Sequence, residues 1–195
     1  MCRPGLSLRR PFASLRRLRL GRAGAPIAQP VLRAGASSVR VMGIDPGTRR
    51  VGYAILEREP GRPLRALAYG VIHPRADAPI AVRLLHIQEE LRRLIRRWKP
   101  DAAALESAFY GKSIPAALRI GEGRGAALVA ASGEGVPVSS YAPAEVKKAV
   151  VGNGAAHKRQ VQAMACSLLS LGKARLPLDA SDALAIALCH AHRAP

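Results

Sequence analysis

The order of short apolar runs and amphipathic segments constrains the fold of this chain more than any other feature. Three β-rich runs, residues 39–44, 51–56 and 66–72, are separated by turn signals, beginning with Asp45-Pro46-Gly47-Thr48. Because the connections are short, the three runs predict an antiparallel meander. A long amphipathic helix over residues 79–98 follows, in which apolar residues recur at steps of three and four.

The rest of the chain alternates between strand and helix patterns. Residues 102–105 and 136–141 are typical of strands. Helices are predicted over 113–132, from Pro143 onward, over 158–171 and over 180–190. The whole pattern predicts an α/β fold with a five-stranded mixed sheet flanked by helices. No apolar run is long enough for a membrane-spanning helix, so a membrane partner is not expected.

The chain is strongly basic, with 31 Lys and Arg against 13 Asp and Glu in 195 residues and a formal net charge of +18. Apolar residues make up 49% of the sequence, which argues against wholesale disorder. The three cysteines lie far apart and form no CxxC pair, so the pattern is not that of a disulfide scaffold or a zinc ribbon. A folded basic domain of this kind is typical of proteins that bind a polyanion.

The N-terminal segment, residues 1–38, contains eight arginines, no acidic residue and no strand or helix pattern of useful length. Three interpretations stay open: a start placed upstream of the true one, an organelle transit peptide, or a basic arm that adds nonspecific phosphate contacts. All three predict that the folded domain spans residues 39–195 and begins near Ser38.

Four of the scarce carboxylates lie at the ends of predicted elements. Asp45 and Glu106 end apolar strands, and Asp179 and Asp182 lie three apart on one face at the start of the last helix. If the first and fourth strands are neighbours, Asp45 and Glu106 emerge at the same sheet edge. Two Mg²⁺ ions, which prefer oxygen ligands, can activate water and stabilise the leaving oxygen in phosphodiester hydrolysis. The four carboxylates therefore predict a Mg²⁺ site.

Structural interpretations of the same acids stay open at this point. Asp45 precedes Pro-Gly and is a common turn residue there. Asp179 can cap the last helix, with Asp182 favoured by the helix dipole. Glu106 is harder to explain in this way, because a carboxylate after Ala-Ala-Ala-Leu interrupts a buried segment.

Other candidate features carry less. The histidines show no metal-ligand spacing, and His190 and His192 are interpreted as a frayed terminal tail. No Gly-Lys-Ser/Thr follows a suitable glycine, so the sequence has no Gly-rich P-loop and ATP chemistry is not supported. Ala117, Gly121 and Gly125 form a stripe of small residues that lets another helix approach closely, within the chain or across a dimer.

Four segments, residues 43–53, 105–109, 150–154 and 179–185, occur in an order and at a spacing that resemble the RuvC family of Holliday junction resolvases. The resemblance covers about residues 39–192. It implies a ribonuclease H-like fold, a homodimer, and a Mg²⁺-dependent endonuclease with two ions per site, for which Mn²⁺ can substitute. It also implies paired symmetric nicks in four-way DNA junctions during recombination and repair.

By motif position, the resemblance implies roles for individual residues. The metal-binding catalytic carboxylates would be Asp45, Glu106, Asp179 and Asp182. Catalytic or DNA-binding roles fall to Lys147 and Lys158, and we expect the adjacent Lys148 to bind DNA as well. Phe109 matches an aromatic residue that contacts the junction, with burial in the core as the alternative.

The resemblance further implies a partner and a compartment. The partner is a branch-migration complex of a junction-binding tetramer and a hexameric motor, and the compartment is the bacterial cytoplasm. An organelle is the alternative if the Arg-rich segment is a transit peptide.

Two rival functions stay open: another ribonuclease H-like nuclease, such as one that cuts RNA in a hybrid, or a noncatalytic basic DNA-binding module.

Overall fold

The structure, a computed structural model, describes residues 38–107, 114–172 and 176–193. Its strands are β1 (Val39–Asp45), β2 (Val51–Arg58), β3 (Arg65–Ile72), β4 (Ala102–Glu106) and β5 (Val138–Tyr141). Its helices are α1 (Ile80–Trp98), α2 (Ile114–Gly133), α3 (Pro143–Val151), α4 (Lys158–Leu168) and α5 (Leu178–Arg193). None of the helices in the described ranges is long and apolar enough to cross a bilayer.

The five strands form one mixed sheet in the order β3-β2-β1-β4-β5. The first three strands pair antiparallel, as the short turns predict. Strand β1 pairs with β4 in parallel, and β4 pairs with β5 in parallel. The predicted mixed sheet is confirmed, and so is the condition that the first and fourth strands are neighbours.

Two apolar cores cover the two faces of the sheet. On one face, Met42, Ile44 and Ile55 pack with the buried stripe of α1 and with the alanines of α2. On the other, alternate strand residues pack against α3, α4 and α5. This division follows from the two-residue period of strand side chains, which sends neighbours along β1 to opposite faces.

Helix α5 lies unusually close to the sheet because two strand residues have no side chain. A Cβ on Gly43 would lie 2.1 Å from the carbonyl oxygen of Ala183, and one on Gly52 would lie 1.9 Å from that of Asp179. Nearly all of α5 between Ala180 and Ala191 is buried as a result. The close approach fixes the first turn of α5 over the start of β2.

The interpretation of His190 as part of a frayed tail is wrong. Helix α5 continues to Arg193, and His190 is only 3% exposed. Its Nδ1 lies 2.8 Å from the hydroxyl of Tyr141 at the end of β5, so a polar partner satisfies the buried ring. His192 is exposed, as expected for the end of a chain.

Two other expectations change in detail. Strand β5 begins at Val138, later than predicted, because Pro137 has no N–H for the ladder. Added Cβ atoms on Gly121 and Gly125 would meet nothing within 4 Å. The small-residue stripe was expected to contact another helix either within the chain or across a dimer. Within the described part of the chain, no helix lies close to these two glycines.

Candidate active site

Asp45 and Glu106 lie side by side at one edge of the sheet. Ile44 pairs with Leu105 in the parallel register of β1 and β4, so the next residue on each strand is the carboxylate. Both side chains are half-buried, whereas the residues before them are fully buried. The end of each apolar strand thus delivers one carboxylate to the same place.

Helix α5 brings two further carboxylates to this edge. Asp179 and Asp182 lie in its first turns and are separated by the buried Ser181 and Ala180. The side chains of Asp179 and Asp182 are 25% and 22% exposed. Their position depends on Gly52, whose missing side chain allows the main chain of Asp179 to rest on β2.

The other three acids act electrostatically on Asp45. Burial raises the pKa of Asp45 most, the negative charges of Asp182, Glu106 and Asp179 raise it further, and the charge of Lys158 opposes them; the result is a pKa of about 7. The pKa of Glu106 is raised by burial and by Asp182. The structure therefore brings together the four carboxylates that the sequence singles out, in an arrangement whose mutual repulsion favours a bound cation.

The lysines that the sequence singles out differ in how closely they approach the carboxylates. The Nζ of Lys158, the first residue of α4, forms an ion pair with Asp182. The charge of Lys147, on α3, opposes the rise in the pKa of Glu106. Lys148 is exposed on the same helix. Phe109 lies outside the described residues.

Two arginines at this edge were missed by sequence reasoning. Arg50, in the turn between β1 and β2, places its Nε 3.5 Å from Asp179. Arg124, on α2, donates to the main-chain carbonyl of Glu106. Arg50 is five residues from Asp45, and that closeness was a usable signal. Nothing in the sequence distinguishes Arg124 from the many other arginines.

The donor set fits a hard divalent cation. All four candidate ligands are carboxylates, which are acceptors only and match the preference of Mg²⁺ for oxygen. Within the described ranges, no three His, Cys, Asp or Glu side chains are already close enough together to hold an ion. The site is thus a cluster of coupled acids with Lys158 paired to one of them, and closing it around a metal requires side-chain movement.

Known proteins match the chain over nearly its whole described part. The model of the family described as "Crossover junction endodeoxyribonuclease RuvC" matches residues 41–190. A protein of that name from Maricaulis maris is 48% identical over 157 residues, which are 80% of this chain and 93% of the relative. The solved structure of Thermus thermophilus RuvC is 36% identical, with a TM-score of 0.73 over 80% of this chain and 95% of the other.

A second Thermus thermophilus RuvC structure, in complex with a Holliday junction substrate, gives a TM-score of 0.75 at 36% identity. It covers 80% of this chain and 94% of the other. The match spans the edge where Asp45, Glu106, Asp179 and Asp182 meet. The chain therefore belongs to the RuvC family of crossover junction endodeoxyribonucleases.

Proposed function

We propose that this chain resolves four-way DNA junctions with Asp45, Glu106, Asp179 and Asp182 as the ligands of Mg²⁺. Membership of the family makes the chain a nuclease that hydrolyses phosphodiester bonds in DNA recombination and repair. The observation that carries the residue assignment is the meeting of four carboxylates from β1, β4 and α5 at one sheet edge.

The family is one of divalent-metal-dependent nucleases. When bound, two Mg²⁺ ions, or Mn²⁺ in their place, would activate the attacking water and stabilise the departing oxygen. Asp45 takes part as a carboxylate, so it must first lose the proton that its raised pKa retains. The affinity for metal therefore depends on the protonation state of Asp45.

The lysines balance charge as the DNA backbone approaches. Lys158 pairs with Asp182 and is half-exposed, so its ammonium can turn to a phosphate oxygen without crossing the core. The charge of Lys147 favours the ionised form of Glu106, and Lys148 is exposed for a further phosphate contact. For Phe109, three residues beyond Glu106, we propose stacking against a base of the junction.

A homodimer suits the substrate, because a two-fold protein on a near two-fold junction places two sites on strands of like polarity. The exposed face of α2 supports this arrangement. Leu118 and Val129 are 64% and 58% exposed there, and Gly121 and Gly125 leave room for a close partner. The branch-migration complex is proposed as the partner from the family resemblance alone.

The named relatives are bacterial proteins, and we infer that this chain works in the bacterial cytoplasm.

We propose residues 39–195 as the nuclease domain and residues 1–38 as an extension outside it. The match of the family model begins at residue 41, which supports this boundary.

A panel of substrates tests the proposed function. A synthetic mobile four-way junction, a linear duplex and an RNA–DNA hybrid are each incubated with the full-length protein and Mg²⁺. We expect paired symmetric nicks in the junction and intact duplex and hybrid. Cutting of the hybrid without junction nicks would transfer the function to another ribonuclease H-like nuclease.

A further inference from the structure

Arg124, on α2, links the ends of two neighbouring strands at the candidate active site. Its Nη1 donates to the carbonyl oxygen of Glu106 at 2.8 Å, and its Nη2 donates to the hydroxyl of Ser140 at 2.8 Å. Glu106 ends β4 and Ser140 lies in β5. One guanidinium, whose fork of donors is rigid and planar, therefore fixes both strands at once.

The main chain at Glu106 needs such a partner because the strand ends there. The next residue, Ser107, turns to β5, and its N–H and hydroxyl both donate to the carbonyl oxygen of Tyr141, at 2.8 and 3.1 Å. The carbonyl of Glu106 accepts from Arg124 instead. Its backbone is thus held from both sides at the point where its side chain enters the site.

Helix α2 also contacts the turn after β1, through Gly123, the residue before Arg124. A Cβ on Gly123 would lie 2.6 Å from the carbonyl oxygen of Gly47, so the helix rests directly on the turn that follows Asp45. Gly123 and Arg124 are consecutive: the first lies against the turn after β1, and the second contacts the end of β4. Helix α2 therefore contacts the main chain next to both carboxylates.

We propose that Arg124 is a positioning residue, which holds the main chain of Glu106 so that its carboxylate faces the metal. This role rests on the proposed function, because it requires Glu106 to be a ligand. Arg124 contacts the main chain, whereas the cations that lower the pKa of the Glu106 carboxyl group are Lys158 and Lys147. Its contribution is geometric, like that of groups that orient metal ligands in other proteins.

Direct binding of Mn²⁺ tests this role without relying on cleavage. The electron paramagnetic resonance signal of free Mn²⁺ is titrated with the full-length wild type, Arg124→Gln, Arg124→Lys and Ser140→Ala. We expect Arg124→Gln to weaken Mn²⁺ binding about tenfold, as loss of a ligand-orienting group does. Arg124→Lys should fall between it and wild type, because one ammonium cannot serve both acceptors in the same geometry.

Three controls make the test specific. Arg97→Gln removes an exposed arginine from the last turn of α1 and should bind Mn²⁺ as wild type does. Junction affinity without divalent metal should be unchanged in Arg124→Gln, since the arginine is engaged with the protein. Glu106→Gln provides the reference for loss of the ligand itself.

Wild-type Mn²⁺ affinity in Arg124→Gln would overturn the positioning role, as would a loss of junction affinity parallel to the loss of metal. If Arg124→Gln does not fold, Arg124→Lys and Ser140→Ala carry the test, and wild-type affinity in both would overturn it. If Glu106→Gln binds Mn²⁺ weakly and Arg124→Gln binds it normally, the assignment of Glu106 as a ligand stands and only the positioning role of Arg124 is overturned. Failure of the wild type to cut the junction would count against the proposed function. The Mn²⁺ affinities of wild type and variants could still be compared.

Discussion

At the scale of single residues, we expect Asp45 to couple metal binding to pH. Burial and the neighbouring carboxylates raise its pKa to about 7, so near neutral pH a proton would compete with a metal ion bound there. We expect Mn²⁺ affinity to increase as the pH rises through about 7 and to level off above that value. Calorimetry in buffers of different ionisation enthalpy should show a proton released on binding below about pH 7.

Asp45→Asn is the control for this coupling, because the amide does not titrate. The variant should bind metal weakly and release no proton at this site. An Mn²⁺ affinity of the wild type that does not change across this pH range would contradict the assignment of Asp45 as a ligand with a raised pKa.

The same shift predicts how the metal-free protein responds to pH. The folded pKa of Asp45 lies above its ordinary value of 3.8, so between the two the folded state holds a proton that the unfolded chain has lost. The contribution of Asp45 to stability is therefore full below about pH 3.8 and is lost as the pH rises through about 7.

Asp45→Asn should accordingly raise the Tm of the metal-free protein at about pH 8, by about 2–4 °C per kcal/mol gained. At about pH 5, where the wild-type carboxyl is already protonated, the two melting temperatures should be closer. Thermal melts in a chelating buffer measure both. A variant that melts below the wild type at the higher pH would show that Asp45 is not destabilised by its neighbours.

Some site residues were predictable from sequence and others were not. Asp45 and Glu106 stand out because an acid that ends a buried strand needs an explanation. Arg124 acts through a main-chain contact across 18 residues, and such a contact leaves no pattern in the sequence. Closeness to the end of the chain predicts exposure for His190, but this prediction is wrong because α5 is buried into its last turn.

At the scale of elements, the glycines under α5 decide where two of the carboxylates lie. A Cβ on Gly52 would lie 1.9 Å from the carbonyl oxygen of Asp179, so Gly52→Ala must push α5 off the sheet. We expect a loss of about 1–3 kcal/mol in the free energy of unfolding and a loss of cleavage, as Asp179 and Asp182 move away from Asp45. Urea unfolding and a cleavage assay measure the two effects.

Gly133→Ala is the matched control. Gly133 ends α2, and an added Cβ would meet nothing within 4 Å, so its unfolding free energy should change by no more than about 0.5 kcal/mol. If Gly52→Ala is as stable and as active as Gly133→Ala, then α5 does not depend on contact with β2.

The order of the elements was predictable because hydrophobic periodicity is a local property. The pairing of the strands was only partly predictable. The antiparallel meander follows from short turns, whereas the parallel pairing of β1 with β4 joins residues 61 apart, as in the pair of Val41 and Ala102. The close approach of α5 to Gly43 and Gly52 depends on a partner far along the chain. Its consequence, the position of Asp179, could not be predicted from the sequence alone.

At the scale of the whole molecule, the charge of +18 sets how the protein meets DNA. Eight arginines lie in residues 1–38, outside the match of the family model. Deleting this segment should preserve junction cleavage at low salt and flatten the dependence of junction affinity on salt, because fewer phosphates are neutralised. Titrations at several salt concentrations measure the slope, and loss of cleavage in the deletion variant would show that the segment is functional.

We propose that Asp45, Glu106, Asp179 and Asp182 hold the metal that cuts the junction, and that binding of the junction does not require Glu106. The most direct test of this proposal follows one synthetic four-way junction with wild type and Glu106→Gln in Mg²⁺, with binding and cleavage measured in the same samples. We predict that both proteins bind the junction equally, and that only the wild type makes paired symmetric nicks. Normal nicking by Glu106→Gln would contradict the account.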